Sequence, residues 1–275
     1  MVSTLIIMVA FLACLFIVLR FRPPPPKLGI VACIKNPKNI ETWLKLHRDV
    51  GISRFYIRLE DTPELVEYFR SQPDVHLVVA DSKSADEYAD LMARQSQMVD
   101  LALDLAKKDG IDWVIHIDCD EVLDGGLDEI RTLPGDVGTF WMQNYEAMYD
   151  TIPKTADNCF KAEKFRNCAT DMCASYANGK GGGKVGVSQS HGPHRFKSNQ
   201  KEVKLTNVTV KHFESCDFDQ YIAKYKRLAK SDTSKIPFAY YKESIQAGGD
   251  VDKLEKVYEK YRVYSSSVKS SGSAS

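Results

Sequence analysis

Blocks of apolar residues alternate with blocks of mixed polarity along most of the chain, and their periodicity predicts strands and helices in turn. Short apolar runs rich in β-branched residues are typical of buried strands, and the stretches between them repeat apolar positions at helical spacing. Strands separated by helices indicate an α/β fold with a mostly parallel central sheet and helices on both faces. The predicted strands are 28–34, 55–57, 75–79 and 113–117, and the predicted helices are 40–50, 64–70 and 86–107.

The pattern becomes less regular beyond Pro134. The glycine-rich segment 178–184 matches neither a P-loop nor a dinucleotide-binding fingerprint. It is predicted to be a loop, either a plain surface loop or one that covers a phosphate-bearing ligand. Apolar spacing in 217–230 predicts a further amphipathic helix, which packs on the domain or, as a second interpretation, closes over a site as a lid.

The N-terminus differs in kind, because residues 2–19 are almost entirely apolar and about 20 such residues cross a bilayer. Arg20 and Arg22 stand where a signal peptide carries small residues, which favours an uncleaved single-pass transmembrane helix. Basic residues follow this span and none precedes it, so the charge bias favours a cytosolic domain on a Golgi-type, ER-type or other internal membrane. The predicted organisation is a membrane anchor at 1–20, a proline-rich spacer at 21–27, one globular domain at 28–262 and a disordered tail at 263–275.

Composition and charge narrow the classes of partner. The 275 residues are 44% hydrophobic and 27% charged, which is enough for one globular domain. Because 37 basic residues balance 37 acidic ones, no general positive field attracts nucleic acid. An anionic ligand must therefore be held by a local site. Composition makes no prediction about oligomeric state.

The seven cysteines show no repeated Cys-x-x-Cys pair, and their number is odd. In an oxidising lumen, Cys168 and Cys173 are able to pair with Cys159 or Cys216. A reduced compartment with ordinary buried thiols fits the same spacing. The sequence leaves both interpretations open.

The segment that follows the strand at 113–117 carries the most informative chemistry. Asp118, Asp120 and Glu121 come directly after an apolar run. Ligands of open α/β sheets bind at the carboxyl ends of the strands, and two carboxylates two residues apart can face one hard cation. The alternative is a solvated turn, which aspartate also favours. The apolar lead-in and the third acid favour a metal and phosphate site.

A second polar cluster lies downstream. His191, His194 and His212 are half of the six histidines, and they lie close together in the sequence. A histidine that joins the two aspartates gives the mixed nitrogen and oxygen ligands that suit manganese. The predicted metal ligands are therefore Asp118, Asp120 and His212. Lys184 or Arg195 would offset the charge of a phosphate.

Several motifs occur in a recognisable order. Lys35-Asn36 comes first, followed by 41–47 (Glu-Thr-Trp-Leu-Lys-Leu-His), 51–57 (Gly-Ile-Ser-Arg-Phe-Tyr-Ile), Gln95 and finally 113–121, which ends in Asp-x-Asp-Glu. This order resembles small glycosyltransferases of the GT-A fold related to families 2 and 92. The resemblance covers about residues 28 to 123 well and extends more loosely beyond them.

The resemblance implies an enzyme that moves a sugar from a nucleotide-sugar donor, most simply a UDP-sugar, to a glycan, protein-linked or lipid-linked acceptor. It also implies a GT-A fold and a bound Mn²⁺ or Mg²⁺ held by the Asp-x-Asp motif, with Glu121 as a supporting or sugar-contacting group. The residues expected to contact the nucleotide sugar or the acceptor are Ala32, Lys35, Asn36, Asp61, Gln95, Lys184, His191, His194 and Arg195.

An inverting reaction also needs a base that takes a proton from the acceptor hydroxyl. Candidates for this base are Glu146, Asp150 and Asp171, and we favour Asp171 because the surrounding segment 168–173 is too apolar for a purely solvated loop. Glu121 is the further predicted catalytic residue, in its supporting or sugar-contacting role.

Two other classes of function fit parts of the sequence. In haloacid-dehalogenase-type phosphatases a strand ends in a similar motif, so Asp118 would be a nucleophile and Asp120 a general acid. That motif usually opens its domain, whereas here strands and helices precede it. A membrane-tethered carbohydrate-binding module without catalysis is the third interpretation, because fold does not establish function.

Overall fold

A computed structural model describes residues 24–82, 87–154, 159–171, 173–234 and 236–264. The predicted membrane anchor at 1–20 and most of the predicted tail lie outside these ranges. Within them, no helix is both long and apolar enough to cross a membrane.

The strands and helices of the first half follow the predicted order closely. The strands are β1 (Leu28–Ile34), β2 (Ile52–Glu60), β3 (Val75–Ala80), β4 (Trp113–His116), β5 (Glu121–Gly125), β6 (Val137–Met142), β7 (Asn144–Met148), β8 (Lys164–Asn167), β9 (Lys180–Lys184), β10 (Ser188–Ser190), β11 (Phe196–Ser198), β12 (Lys201–Lys204) and β13 (Val208–His212). The α-helices are α1 (Ile40–Asp49), α2 (Val66–Arg70), α3 (Glu87–Asp109), α4 (Asp128–Arg131), α5 (Phe218–Leu228), α6 (Ala239–Gln246) and α7 (Val251–Arg262), and a 3₁₀ turn (Pro63–Leu65) precedes α2.

Seven strands form a central sheet in the order β12-β6-β9-β4-β1-β2-β3. All neighbouring strands are parallel except β9, which runs antiparallel to both β4 and β6. Trp43 of α1 and Phe69 of α2 belong to the core on one face of the sheet, and Met98 of α3 belongs to the core on the other. This mixed α/β architecture with a mostly parallel sheet was predicted from the alternating pattern and is compatible with a Rossmann-like fold.

A second sheet of four strands, in the order β5-β13-β7-β8, continues from the end of the first. β5 begins only a short turn after β4, and it pairs antiparallel with β13, so that Glu121 lies opposite His212. This pairing brings the C-terminal half of the chain to the Asp-x-Asp-Glu segment.

The glycine-rich segment is a strand, which corrects the prediction of a loop. Gly182 lies between β4 and β6, and a Cβ atom placed on it would be 2.3 Å from a ring carbon of Phe140. On the other face, a Cβ atom on Gly183 would be 2.4 Å from the ring of Phe196. The glycines are therefore needed for close packing of aromatic rings on both faces, rather than for flexibility.

Helix α1 fixes the start of β5 with two buried side chains. Trp43 donates its indole N–H to the carbonyl of Glu121 at 2.8 Å. The Nε2 atom of His47 accepts the backbone N–H of Leu123 at 3.2 Å, and its Nδ1 donates to the carbonyl of Trp43. A histidine that accepts in this way is neutral, and burial lowers the pKa of His47 to about 4. Together the two contacts set the position of the acidic segment.

The last three helices pack around a cluster of aromatic rings and one buried arginine. Tyr221 of α5, Tyr240 of α6 and Tyr258 of α7 are at most 1% exposed. Arg262, at the end of α7, is fully buried and donates to the carbonyl of Glu214 at 2.5 Å. The amphipathic helix predicted at 217–230 is therefore present as α5, with its aromatic face in this cluster.

We expect Gly182→Ala to destabilise the domain by about 1–3 kcal/mol, because the added methyl group overpacks against a buried ring. Gly126→Ala is the matched control, since nothing lies within 4 Å of a Cβ atom at that position. Urea denaturation of both variants measures the difference. Equal stability of the two variants would show that β9 is not tightly packed.

Candidate functional site

Asp118 and Glu121 lie at the carboxyl edge of the central sheet around a buried lysine. The ammonium of Lys180 is 2.6 Å from Oδ2 of Asp118 and 3.2 Å from Oε2 of Glu121. Gln95 donates to the other oxygen of Asp118 at 3.0 Å. Glu121 also accepts the backbone N–H of Asp118 and the hydroxyl of Tyr176. All four carboxylate oxygens are therefore engaged within the protein.

Burial and charge act in opposite directions on this cluster. Burial on its own lowers the pKa of Lys180, but Asp118 and Glu121 raise it above its ordinary value. Burial raises the pKa of Glu121, and Lys180 partly offsets that effect. For Asp118, burial on its own raises the pKa, but the positive charges around it, Lys180 first among them, together hold the pKa below its usual range. Lys180 is thus an internal cation that keeps the acidic segment charged and in place.

Asp120 projects into a different group, together with His212 and Glu214. One ligand atom from each residue lies within 4.8 Å of the others. Nε2 of His212 is 3.6 Å from Oδ2 of Asp120 and 3.7 Å from Oε2 of Glu214. The backbone N–H of Phe213 donates to the carbonyl of Asp120 at 2.8 Å and ties the two segments together. We call Asp120, His212 and Glu214 the metal group, because two carboxylates and one imidazole suit Mn²⁺.

The hydrogen bonds of His212 set the orientation of its ring. Ser175 donates its hydroxyl hydrogen to Oε1 of Glu146 at 2.6 Å, and Nδ1 of His212 lies 3.1 Å from the same hydroxyl oxygen. Because the carboxylate can only accept, the hydroxyl is left to accept from Nδ1–H of His212. Nε2 then faces Asp120 and Glu214, as in metal sites where a second group orients the histidine.

The charge on His212 depends on the surrounding acids. Burial on its own lowers the pKa of His212, but Asp120, Glu121 and Glu214 raise it to about 9. A divalent cation in the metal group would therefore replace one proton on the imidazole.

Glu146 holds the hydroxyl of Ser175, which in turn orients His212. It is fully buried, and it accepts the backbone N–H groups of Ala174 and Ser175 at 2.8 and 2.9 Å. Nη1 of Arg262 lies 2.9 Å from its Oε1. Since the carboxylate is enclosed and fully paired, the structure does not place Glu146 where a catalytic base would meet an acceptor.

A third group lies at the ends of β1 and β2. Nζ of Lys35 is 2.9 Å from Oδ2 of Asp61 and 2.8 Å from the hydroxyl of Ser82. Asn36 and Asp61 both have positive φ angles, 46° and 44°, which non-glycine residues seldom adopt. The backbone N–H of Asn36 donates to Oγ1 of Thr62 at 2.9 Å. We call Lys35, Asp61 and Ser82 the nucleoside edge, because the partly exposed side chains of Lys35 and Asp61, with the buried Ser82 beside them, present donors and acceptors that suit a nucleoside.

The remaining predicted residues are distributed around the fold. Ala32 is fully buried within β1, so its side chain belongs to the core and not to a binding surface. Lys184 pairs with Trp113 at the start of β4, at the opposite end of the sheet from Asp118. It therefore does not reach the acidic segment, and Lys180 of the same strand takes that position instead.

The predicted histidines and Arg195 also differ in position. His194 packs its ring 4.6 Å from that of Tyr176, and burial together with Lys180 lowers the pKa of His194 to about 3. His191 is exposed. The guanidinium of Arg195 lies 4.6 Å from the ring centre of Trp141. Of these residues, His194 is the one whose contacts lead to the acidic segment.

Asp171, the favoured base, lies in an exposed turn where its carboxylate accepts the backbone N–H of Asn167 at 3.1 Å. A disulfide between Cys168 and Cys173 closes this turn. A second disulfide joins Cys159 to Cys216.

Sequence reasoning missed Lys180, Ser175 and Glu214, and it placed Asp118 in the metal group, where the structure has Glu214 instead. Glu214 follows His212 at an interval of two residues, the same interval as between the two aspartates. That spacing was the available signal. Nothing local in the sequence marks the position of Lys180, which depends on strand pairing, or that of Ser175, which lies outside the strands and contacts Glu146.

We expect Glu214→Gln to weaken Mn²⁺ binding by about 10-fold or more, because it removes one of three charged or imidazole ligands. Asp124→Asn, at an exposed acid on β5 that pairs with Lys211, is the control and should stay within about twofold, because solvent screens its charge. Electron paramagnetic resonance of free Mn²⁺ measures both affinities. Equal affinities in the two variants would exclude Glu214 as a ligand.

Comparison with known proteins gives two distant relatives. No family model matches the chain. Two curated proteins of Arabidopsis thaliana, each named glycosyltransferase-like, are 22% identical over 246 residues and 23% identical over 223 residues. The alignments cover 70% and 62% of this chain, and 54% and 43% of the relatives. The chain thus spans about half the length of the curated relatives that it matches.

Solved structures add little. Rv0371c from Mycobacterium tuberculosis H37Rv has 10% identity and a TM-score of 0.28, over 46% of this chain and 69% of that protein. HddC from Yersinia pseudotuberculosis complexed with GMP-PN has 10% identity and a TM-score of 0.34, over 68% and 93%. Both scores are too low to indicate a shared fold. The sequence relatives therefore carry the comparison, and they support a distant relationship to proteins of the glycosyltransferase type.

Proposed function

We propose that this protein is a metal-dependent glycosyltransferase that transfers a sugar from a nucleotide-sugar donor, most simply a UDP-sugar, to a carbohydrate-bearing acceptor. The observation that carries the proposal is the metal group of Asp120, His212 and Glu214 at the carboxyl edge of a mostly parallel sheet. The nucleoside edge follows β1 and β2 of the same sheet. The names of the two relatives point to the same class of reaction.

In the proposed complex the nucleoside edge binds the nucleoside. Asp61 offers carboxylate oxygens and Lys35 offers an ammonium, and both are partly exposed. The hydroxyl and backbone N–H of Ser82 hold Asp61 in position. Asn36 lies in the same pair of loops, where its backbone N–H donates to Thr62 and its carbonyl accepts from Gln220. Such preformed polar groups fix the orientation of a ligand.

The metal group would hold a divalent cation, which would neutralise the charge that develops on the departing nucleoside diphosphate. Ser175 and Glu146 keep Nε2 of His212 turned toward that position. Asp118 does not share the cation in this arrangement, because Lys180 and Gln95 bind its oxygens. It acts instead to hold the turn that presents Asp120.

The predicted catalytic residues Asp171, Glu146 and Glu121 differ in access to an acceptor. Glu121 and Glu146 are fully buried and paired, so neither is positioned to take a proton from an acceptor hydroxyl. Asp171 is exposed and stays a prediction.

The phosphatase interpretation fits the geometry less well. A nucleophilic Asp118 needs a free oxygen that faces the phosphorus atom. Both of its oxygens are bound, and β1 to β4 precede it in the chain. A non-catalytic binding module does not require a metal group with an oriented histidine, so the contacts of His212 favour an enzyme.

We expect the purified full-length chain to release UDP from at least one UDP-sugar in the presence of Mn²⁺, and to stop when EDTA removes the metal. Asp120→Asn should lower this rate by about 100-fold or more, since it weakens the electrostatic stabilisation of the leaving group. Asp124→Asn again serves as control. Hydrolysis of an aryl phosphate without any release of UDP would contradict the proposal and favour the phosphatase.

We further propose that the domain lies in an oxidising compartment, on the lumenal side of its membrane, opposite to the side that the charge bias of the N-terminus favours. Two disulfides in the described part of the chain support this, since they are rare in the cytosol. Asn207 is exposed just before β13 and begins the sequon Asn207-Val208-Thr209. It is thus available to an N-glycan.

When the full-length chain is made in secretory eukaryotic cells, N-glycosidase treatment should lower its mass. Thr209→Ala should abolish the shift, whereas Thr209→Ser, which keeps the sequon, should retain it. An unglycosylated chain whose cysteines all react with an alkylating agent without prior reduction would place the domain in the cytosol.

A further inference from the structure

Helix α5 spans the distance from the nucleoside edge to the metal group. Near its start, Nε2 of Gln220 donates to the carbonyl of Asn36 at 2.5 Å, and Asp217, which caps the helix, lies 3.4 Å from Nζ of Lys38. One turn further along the same face is Lys224. Its Nζ is 3.0 Å from Oε1 of Glu214.

Lys224 differs from the buried cation of the acidic segment in its access to solvent. Its side chain is 37% exposed, whereas that of Lys180 is fully enclosed. The ring centres of Tyr225 and Tyr241 lie 5.5 and 5.4 Å from its ammonium and leave it facing the metal group. A ligand of the metal group can therefore reach Lys224, whereas Lys180 is out of reach.

Lys224 is not the only hydrogen-bonding partner of the Glu214 carboxylate among the described residues. Glu214 already accepts a hydrogen bond from Ser215 at 2.8 Å and one from Tyr241 at 3.4 Å.

The charges of the site require a further cation if an anion is to bind. The two carboxylates of the metal group balance one divalent cation. Next to them, Asp118 and Glu121 carry two negative charges and Lys180 carries one positive charge, which leaves one negative charge. Lys224 cancels that charge. Without it the site would be net negative and would repel a diphosphate.

On the basis of the proposed function, we infer that Lys224 binds the diphosphate of the nucleotide, and that α5 thereby links nucleoside recognition at Asn36 to the metal group. The ammonium contacts phosphate oxygens beside the cation and stays paired with them when the glycosidic bond breaks. Lys224 would then take up part of the negative charge left on the leaving group, next to the divalent cation that the metal group would hold. Lys224 is a catalytic residue in this sense, because it touches the leaving group.

The test compares Lys224→Met with Lys226→Met, which removes an exposed lysine two positions along the same helix. Calorimetry with the full-length chain and Mn²⁺ measures the affinities for UDP, UMP and uridine. Lys224→Met should weaken the affinity for UDP by about 10-fold or more and the affinity for UMP by less. The affinity for uridine should not change, because only phosphate oxygens pair with the ammonium. Lys224→Arg should restore much of the UDP affinity, and Lys226→Met should match the wild type.

Mn²⁺ affinity without nucleotide separates phosphate binding from support of Glu214. It should be unchanged in Lys224→Met, and a loss as large as that for UDP would overturn the inference. If the wild type binds UDP and Lys224→Met binds it with the same affinity, the inference about Lys224 is wrong and the proposed function is unaffected. If the wild type binds no nucleoside diphosphate with Mn²⁺, the proposed function fails and this inference fails with it.

Discussion

The candidate site depends first on one buried ion cluster, in which Lys180 lies between Asp118 and Glu121. Two carboxylates at the end of a buried strand are costly unless a cation accompanies them, and removal of one partner of a buried pair usually costs about 3–5 kcal/mol. The lysine has to come from a strand that enters the middle of the sheet. β9 does this, and Gly182 and Gly183 of the same strand allow it to fit between rings. The position of the acidic residues in the candidate site thus depends on the packing of β9 within the central sheet.

The two sides of the metal group are held by different parts of the chain. On one side, Trp43 and His47 of α1 bind the backbone of β5 and so fix the turn that carries Asp120. On the other side, Ser175 fixes the ring of His212. The disulfides lie close to this second side, since Cys173 comes two residues before Ser175 and Cys216 two residues after Glu214. Segments without long strands or helices are held there by covalent bonds.

The sequence predicted the first half of the fold well and the site only in part. Hydrophobic periodicity is a local signal, and β1 to β4 with α1 to α3 appear close to the predicted boundaries. The motif of Asp118 and Asp120 was found for the same reason. Lys180 and Glu214 were missed because their roles depend on pairings between distant strands, of β9 with β4 and of β13 with β5. The glycines of β9 were misread as a loop, because the rings that require them are far away in sequence.

The candidate site is complete only when Arg262, near the C-terminal end of the domain, has been synthesised. Arg262 ends α7, the last helix of the described chain, yet it contacts Glu146 and the carbonyl of Glu214 in the interior. A chain that emerges from the ribosome folds its N-terminal elements first. The sheet of β1 to β4 and the nucleoside edge can form early, while the support beneath His212 waits for α7. A nascent chain would therefore form the nucleoside edge before the metal group is complete.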